Sequence, residues 1–187
     1  MEKVNVATEE LIGRAQSGDE TAFRDLVETH SRNVFRLAYR ITRNEEDAED
    51  TVQETFIRAY RKLDRFEARA SFATWLYRIT ANTAIDVVRK KRRHEGRWAP
   101  LTEVADRVSP RPDRLVFGRQ VRERVESALA CLSELERAAF VLRHFEELSL
   151  AEISASLDIT LSATKQAVFR AVKKLRSSLA GIPRTAP

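Results

Sequence analysis

The strongest constraint on the fold is the spacing of the apolar residues, which recur every three or four positions through most of the first 95 residues. This spacing is the period of an α-helix that is buried along one side. One stripe runs from Phe23 to Ile41, a second from Ala48 to Leu63 and a third from Phe72 to Val87. No segment alternates as a half-buried strand does, so the sequence predicts an all-α chain.

The helical period fails in one place, residues 97–117, where "RWAPLTEVADRVSPRPDRLVF" contains three of the five prolines. The residue before each proline is biased away from helix. A structureless loop of about 20 residues would be unusual inside one compact domain. We therefore expect two small helical domains, residues 1–96 and 118–187, joined by an extended linker, residues 97–117.

The second domain contains the spacing of a helix-turn-helix. Ser149 and Glu152 have capping-box spacing, Asp158 begins a tight turn, and Thr160 can cap a longer helix. On a helical wheel of residues 161–179, one face carries hydrogen-bond donors, cations and an aromatic ring: Ser162, Lys165, Gln166, Phe169, Arg170, Lys173 and Arg176. Such a face can contact bases and phosphates. The alternative is an ordinary solvated amphipathic helix.

Basic charge is concentrated elsewhere as well. The chain has a net charge of +5, and residues 78–97 carry seven Lys or Arg against two acids. An aromatic segment, residues 66–82, overlaps this cluster. Single-stranded nucleic acids bind to stacking rings beside a positive groove, at about 1–3 kcal/mol per stacked base. For any one ring a core position is the better interpretation, but the combination predicts a surface for single strands.

Residues 45–54 show the opposite charge, with six acids and no base. Acids near a helix N-terminus are favoured by the helix dipole, which accounts for Glu45 to Asp47. Asp50 and Glu54 lie beyond the first turn and repel each other at i, i+4 spacing. They predict a cationic partner outside the chain.

Other classes of protein find little support. No apolar run approaches the roughly 20 residues of a membrane span, and no secretory signal is visible. Cys131 is the single cysteine, which excludes an internal disulfide and fits a cytoplasmic protein. The three histidines lie far apart, and no phosphate-binding loop is present. We expect no enzyme, metal or cofactor; a nuclease using the acids of residues 45–54 is the remaining catalytic alternative.

Two runs carry a specific resemblance: "DAEDTVQETF", residues 47–56, and "FATWLYRITAN", residues 72–82. With the helix-turn-helix they resemble a bacterial RNA polymerase sigma factor of the extracytoplasmic-function (ECF) group. The resemblance implies that the first domain binds the β′ clamp helices of core RNA polymerase and melts the promoter −10 element. The second domain would read the −35 element as duplex, and the linker would follow the RNA exit path along the β subunit.

The resemblance also implies roles for individual residues. The core-binding positions would be Asp47, Asp50, Gln53, Glu54 and Phe56. The −10 positions would be Phe66, Ser71, Phe72, Trp75, Tyr77, Arg78 and Asn82, with Arg89, Lys90, Arg92 and Arg93 on phosphates. Asn82, together with the loop 66–71, would receive an extruded base. The −35 positions would be Ser162, Lys165, Gln166, Phe169, Arg170 and Lys173.

Five positions depart from the family pattern. Ser133 replaces a proline and predicts a softer helix start, and Asp158 replaces a turn glycine. Ala163 and Thr164 stand in for Thr-Val, and Ala167 replaces a frequent arginine that would contact DNA. The resemblance further implies an inhibitory anti-sigma factor as a partner. The alternative function is a helix-turn-helix regulator that acts on duplex DNA without melting it, for which the aromatic segment 66–82 has no use.

Overall fold

The computed structural model describes residues 2–68, 70–95 and 128–179. Within these ranges the chain forms helices and no strand, which confirms the predicted all-α class. The predicted linker, residues 97–117, lies outside the described residues.

The first unit is a helical bundle. Its described elements are α1 (Glu2–Gln16), α2 (Glu20–Thr42), α3 (Glu45–Lys62), a 3₁₀ turn (Leu63–Arg65) and α4 (Phe72–Glu95). Helices α2, α3 and α4 pack against one another, and α1 packs on α2.

The second unit contains the predicted helix-turn-helix. Its described helices are α5 (Glu134–His144), α6 (Leu150–Leu157) and α7 (Leu161–Ser178), and residues 128–130 are also helical. Helix α6, the turn after it and α7 form the motif, and α5 packs on α7.

Side-chain caps determine where these helices begin. Asp19 Oδ1 accepts hydrogen bonds from the backbone nitrogens of Thr21 and Ala22, at 2.9 and 3.1 Å. Thr160 Oγ1 accepts one from the nitrogen of Ala163 at 3.1 Å. Each bond satisfies a backbone donor that has no partner within the helix. The Thr160 cap was predicted from the sequence.

Two capping boxes begin α5 and α6. Ser149 and Glu152 form the predicted one, with bonds of 2.8 and 3.2 Å. Ser133 and Glu136 form a second, with bonds of 2.9 and 3.2 Å. Ser133, where a softer helix start was expected, supplies two hydrogen bonds at this helix end together with Glu136.

Left-handed residues end two of the helices. Arg43 follows α2 with φ 61°, and Asp158 follows α6 with φ 52° and ψ 48°. This conformation costs most L-residues about 1–2 kcal/mol, while Asp and Asn adopt it more readily. Asp158 therefore makes the tight turn in place of a glycine, as predicted.

The first unit has a core of its own between α1, α2, α3 and α4. Its buried side chains are Ile12, Ala15, Ala22, Leu26, Val34, Phe56, Ala59, Leu63, Phe72 and Leu76. A smaller cluster in the second unit joins α7 to the segment before α5 through Ala128, Leu132, Ala171 and Leu175.

A further core is shared by the two units. The first contributes Leu37, Ile41, Ala81, Ala84 and Ile85; the second contributes Ala138, Ala139, Val141, Leu142, Leu148, Ile153, Leu157 and Ala167. Leu37, Ile41, Leu142 and Ile153 are completely buried there. The two units thus pack directly on each other, with α4 and α2 of the first against α5 and α6 of the second.

None of the helices in the described ranges is long and apolar enough to cross a membrane.

Candidate nucleic-acid and protein interfaces

The acidic helix α3 compensates part of its charge within the chain. Asp47 Oδ2 accepts a hydrogen bond from Lys91 Nζ of α4 at 2.9 Å. Glu54 Oε1 accepts one from Arg58 Nε, one turn further on, at 2.6 Å. Asp50 and Gln53 are exposed. Glu54, for which a cation outside the chain was predicted, thus has one within α3, and Asp50 is the exposed acid of the pair.

Beside this acidic face, α2 and α3 enclose an open groove of about 910 Å³. Its lining is mostly apolar and includes Phe23, Val27, Val52, Phe56, Ile57 and Tyr60. Tyr60 is 51% exposed and Ile57 38% exposed, although Tyr60 lies on the apolar stripe from Ala48 to Leu63. Tyr60 meets the Phe23 ring edge-on, with centroids 4.9 Å apart.

The groove has charged and polar residues at its margin: Glu20, Arg24, Glu49, Gln53 and Arg61. Gln53 and Phe56 of the predicted core-binding set belong to the lining, and Phe56 is largely buried beneath it. An apolar groove of this kind fits one face of an amphipathic helix. The sequence signal for it was an aromatic residue, Tyr60, on the apolar stripe of α3.

The predicted stacking residues form a tight cluster at the start of α4. The rings of Phe66, Phe72 and Trp75 lie with centroids 5.2–5.5 Å apart. Phe72 is 4% exposed, so it belongs to the core, while Phe66 and Trp75 are half-buried. Ser71 Oγ accepts a hydrogen bond from the Thr74 nitrogen at 3.1 Å, within the first turn of α4. Phe66 and Trp75 are thus the rings of this cluster with an accessible surface.

His30 packs against this cluster from α2. Its ring meets Phe72 with centroids 5.3 Å apart, and its Nε2 is a buried atom without a hydrogen-bond partner. Burial lowers the pKa of His30, which favours the neutral ring. This histidine is therefore part of the packing beneath the aromatic cluster.

Asn82 lies elsewhere on α4, about 16 Å along the axis from Ser71 at the helical rise of 1.5 Å per residue. Its Nδ2 donates to the carbonyl of Ser156 in α6 at 2.6 Å, and to that of Arg78 at 2.8 Å. Tyr77 is half-buried. Its pKa is raised to about 12, first by burial and then by the negative charge of Glu146 and a hydrogen bond to Glu146. Asn82 is therefore in contact with the second unit and apart from the loop 66–71.

The cations of α4 have mixed environments. Arg78, Arg89, Lys90 and Arg93 are exposed. Arg92 Nη1 donates to Glu134 Oε1 at the start of α5, at 2.7 Å. The exposed side chains can contact phosphates in this conformation, whereas Arg92 is paired with the second unit.

Helix α7 presents the whole predicted set on one exposed face. Ser162, Lys165, Gln166, Phe169, Arg170 and Lys173 are all exposed, and Phe169 is 68% exposed. The opposite face buries Thr164, Ala167, Ala171 and Leu175. Ala167 points into the shared core and is 5% exposed. The expectation that Ala167 has lost a DNA contact was wrong, since this position does not face outward.

Metal chemistry has no visible site, because the described residues contain no group of three His, Cys, Asp or Glu side chains that could hold a metal ion. The arrangement instead offers three binding surfaces: a groove with an acidic neighbour, an aromatic and basic helix, and a basic helix-turn-helix.

Known proteins share this organisation. Residues 26–94 match the family described as Sigma-70 region 2, and residues 122–175 match Sigma-70, region 4. The chain is 34% identical to the ECF RNA polymerase sigma factor SigW of Bacillus subtilis (strain 168), over 90% of this chain and 94% of that protein.

Solved structures agree in fold. The structure of CnrH in complex with the cytosolic domain of CnrY is similar with a TM-score of 0.66 and 29% identity, covering 93% of this chain and 97% of that one. The sigma factor RpoE of Bartonella quintana, solved with the anti-sigma factor NepR, shares the fold with a TM-score of 0.64 and 24% identity, covering 85% and 97%. On the near full-length match to SigW and the two sigma-70 regions, the chain belongs to the ECF family of RNA polymerase sigma factors.

Proposed function

We propose that the chain binds core RNA polymerase and directs it to promoters, with separate surfaces for the polymerase, the −10 element and the −35 element. Sigma factors are DNA-recognition subunits of RNA polymerase, so this chain acts in the cytoplasm by binding and not by catalysis. The observation that carries the assignment is the exposed face of α7. The six residues of this face that were predicted to contact the −35 element are all exposed. The turn before α7 and its N-terminal cap are those of a helix-turn-helix.

The groove between α2 and α3, with Asp50 beside it, is the proposed site for the β′ clamp helices. Its apolar floor would take the apolar face of a helix. The acids of α3 would attract cations of the partner, which increases the rate of encounter. Tyr60 and Ile57 extend the core-binding set that was predicted from the sequence.

The aromatic and basic surface of α4 is the proposed site for the melted −10 strand. Phe66 and Trp75 offer partly exposed rings on which bases can stack. Arg78, Arg89, Lys90 and Arg93 would hold the phosphates. Asn82 would bind an extruded base once its present hydrogen bonds are released.

The exposed face of α7 is the proposed reader of the −35 duplex. Lys, Arg and Gln side chains form hydrogen bonds with base edges in the major groove, and Phe169 can contact a thymine methyl group. Phosphate contacts weaken steeply with salt. The α4 surface alone, or the α7 surface alone, would therefore bind DNA weakly at physiological ionic strength. Polymerase would hold both at the promoter spacing and make the two contacts act jointly.

An anti-sigma factor is the further partner that we propose. Support comes from CnrH, a protein similar to this chain whose solved structure includes the cytosolic domain of CnrY. Such a partner would compete with polymerase or DNA for the surfaces described above.

A transcription assay with purified core enzyme tests the function. With core enzyme, the chain should yield promoter-specific transcripts from genomic fragments, and core enzyme alone should not. Tyr60→Ala should weaken core binding by about 2 kcal/mol or more, as expected for an aromatic anchor that becomes buried when the partner binds. Asp50→Lys should weaken it less and change mainly its salt dependence.

Glu9→Lys is the matched control, since Glu9 is an exposed acid on α1 away from the groove lining. Core binding that is equally weak in all three variants would mean that the groove is not the site. Specific duplex binding without any transcript would favour the helix-turn-helix regulator instead.

A further inference from the structure

The side chain of Gln16, the last residue of α1, is bonded to the segment that precedes α4. Its Nε2 donates to the carbonyl of Leu63 at 2.9 Å and to the carbonyl of Phe66 at 3.0 Å. An amide nitrogen has two donor hydrogens, and both are used here. Gln16 thus joins α1 to the point from which the loop 66–71 departs, about 50 residues further along the chain.

The backbone at this point forms a closed turn. The nitrogen of Phe66 donates to the carbonyl of Leu63 at 3.0 Å, and Leu63 is buried in the core of the first unit. Gln16 therefore bridges two carbonyls, one at the start of the 3₁₀ turn and one just after its end. This bridge fixes the direction in which the chain leaves the turn.

The end of α1 that carries Gln16 is itself held in place. Ile12 and Ala15 are buried in the core of the first unit. Arg14 Nε and Nη2 both donate to Asp19 Oδ2, at 2.9 and 2.6 Å. Asp19 also caps α2, so this ion pair ties the end of α1 to the start of α2. Gln16 therefore reaches the turn from a fixed support.

The loop after the turn has an unusual backbone conformation at Ala68. Its φ is 54°, in the left-handed region that a residue with a Cβ atom disfavours. Such a conformation persists only where the surroundings hold it. Ala68 is exposed, so packing of its own side chain does not supply the restraint. The hydrogen bond from Gln16 to the Phe66 carbonyl, two residues earlier, restrains the same segment.

Phe66 is restrained from two sides. Its ring packs against Trp75 and Phe72, with centroids 5.2 and 5.5 Å apart, and its carbonyl is bonded to Gln16. Phe66 is one of the two rings of the aromatic cluster that have an accessible surface. A side chain that is already fixed in its binding orientation loses less conformational entropy when a ligand binds. The bond from Gln16 thus favours stacking of a base on Phe66.

Building on the proposed function, we propose that Gln16 is a positioning residue for −10 recognition. It acts through the carbonyls of Leu63 and Phe66, which set the path of the loop 66–71 and the orientation of the Phe66 ring. A loop of fixed shape accepts one base and rejects others, whereas a loop that has lost its support accepts several. Gln16 therefore contributes to the choice of base more than to the overall strength of DNA binding.

Hydrogen exchange of the free chain tests the support without DNA. Gln16→Met keeps a side chain of similar length and removes both donor hydrogens. The Phe66 amide, which donates to the same Leu63 carbonyl as Gln16, should exchange faster in this variant when followed by NMR. Glu9→Met is the matched control, because Glu9 is an exposed residue of α1 two turns before Gln16. Exchange at Phe66 that is equal in Gln16→Met and the unaltered chain would overturn the proposal.

Base discrimination by the chain with core enzyme tests the function of the support. The probes are labelled single-stranded oligonucleotides with the −10 sequence of a promoter that the chain transcribes, each with one base changed. In Gln16→Met, discrimination at one or more −10 positions should fall about tenfold, which corresponds to about 1.4 kcal/mol. Affinity for the unchanged sequence should fall by a smaller factor, and binding to a −35 duplex should stay the same. An equal loss of affinity for every probe would indicate a merely structural role and contradict the proposal.

Gln16→Lys supplies the rescue. The ammonium group has three donor hydrogens and can bond to both carbonyls. Discrimination in this variant should return towards that of the unaltered chain. A uniform gain of affinity for all probes, without restored discrimination, would mean that the new cation contacts phosphates and that the donors to the turn are not required.

The two proposals fail in different ways. If the proposed function is wrong, no promoter-specific transcript forms, while exchange at Phe66 still increases in Gln16→Met. If only the positioning role is wrong, transcription proceeds, and Gln16→Met and the unaltered chain discriminate equally among the −10 probes.

Discussion

The two proposed DNA surfaces differ in how ready they are to bind. On α7 all six predicted −35 residues are exposed. On α4, Phe72 is a core residue, Asn82 is bonded to α6, and Arg92 is paired with α5. A duplex reader needs only a rigid helix with outward side chains, whereas a surface for a melted strand is useful only after melting has begun. The difference suggests that the chain keeps its duplex reader open and its strand-binding surface restrained.

The physical origin of this difference is the packing of the two helices. Helix α7 has one buried stripe, which includes Thr164, Ala171 and Leu175, and one polar face. Helix α4 buries Leu76 in the core of the first unit and Ala81 and Ile85 in the shared core. A helix buried on two sides has less surface left for a ligand, and part of its ligand surface must be released by movement.

The largest effect is expected from Ile41→Ala, which truncates a fully buried residue of the shared core. The free energy of unfolding should fall by about 2–5 kcal/mol, as for other large-to-small core changes. Because Ile41 packs where the units meet, the −10 strand should also bind more tightly. Denaturant titration and fluorescence anisotropy measure the two effects.

Leu26→Ala is the matched control, because Leu26 is buried in the separate core of the first unit. It should lower stability by a similar amount without increasing −10 binding. An equal gain in −10 binding for both variants would show that general loosening, and not the contact between the units, controls that surface.

The −35 face can be tested by comparing Arg170→Ala with Ala167→Arg. Arg170→Ala should weaken binding to the −35 duplex by about 1–3 kcal/mol without loss of stability. Ala167→Arg should lower the stability of the fold, because overpacking alone costs about 1–3 kcal/mol and a buried cation adds to it. Thermal unfolding and duplex titration measure both. A stable Ala167→Arg protein with tighter DNA binding would contradict the inward orientation of residue 167.

The smallest effect is expected from Tyr77, which reports on the contact between the two units through its ionisation. Its pKa is raised from 10.0 to about 12 by burial first and then by Glu146. The folded state therefore holds the phenol proton more tightly than the unfolded state. The stabilisation is complete below pH 10 and is lost as the pH rises towards about 12.

The difference in tyrosinate absorbance between the unaltered chain and the Tyr77→Phe variant isolates the ionisation of Tyr77. This difference should titrate with a midpoint near pH 12. In the Glu146→Lys background the midpoint of the same difference should be lower, since the negative neighbour is removed. An unchanged midpoint would mean that Tyr77 is not sensitive to the contact with Glu146.

Much of the local structure could be predicted from the sequence, because it depends on short-range patterns. Ser149 and Thr160 cap helices as their spacing indicates. The outward face of α7 follows from its apolar period in the same way. Ser133 and Glu136 form a second capping box with the same spacing, although only a softer helix start was expected there.

Contacts between distant segments could not be predicted. The sequence gives no direct signal that Ser156 lies against Asn82, or that Arg137 reaches Ile41, because these pairs are far apart in the chain. The position of Tyr60 fits the apolar stripe of α3, and only the neighbouring helix α2 makes that position the edge of a groove. The residue roles at the three surfaces stay predictions.

The shared core has a consequence for how long such a protein survives in a cell. Separation of the two units exposes Ile41, Leu142 and Ile153, which are completely buried where the units pack together. Exposed apolar surface of this kind promotes aggregation, and opened segments are the substrates of proteases. A sigma factor whose two units separate easily would therefore be degraded sooner, so the strength of the contact between the units would set the abundance of the protein.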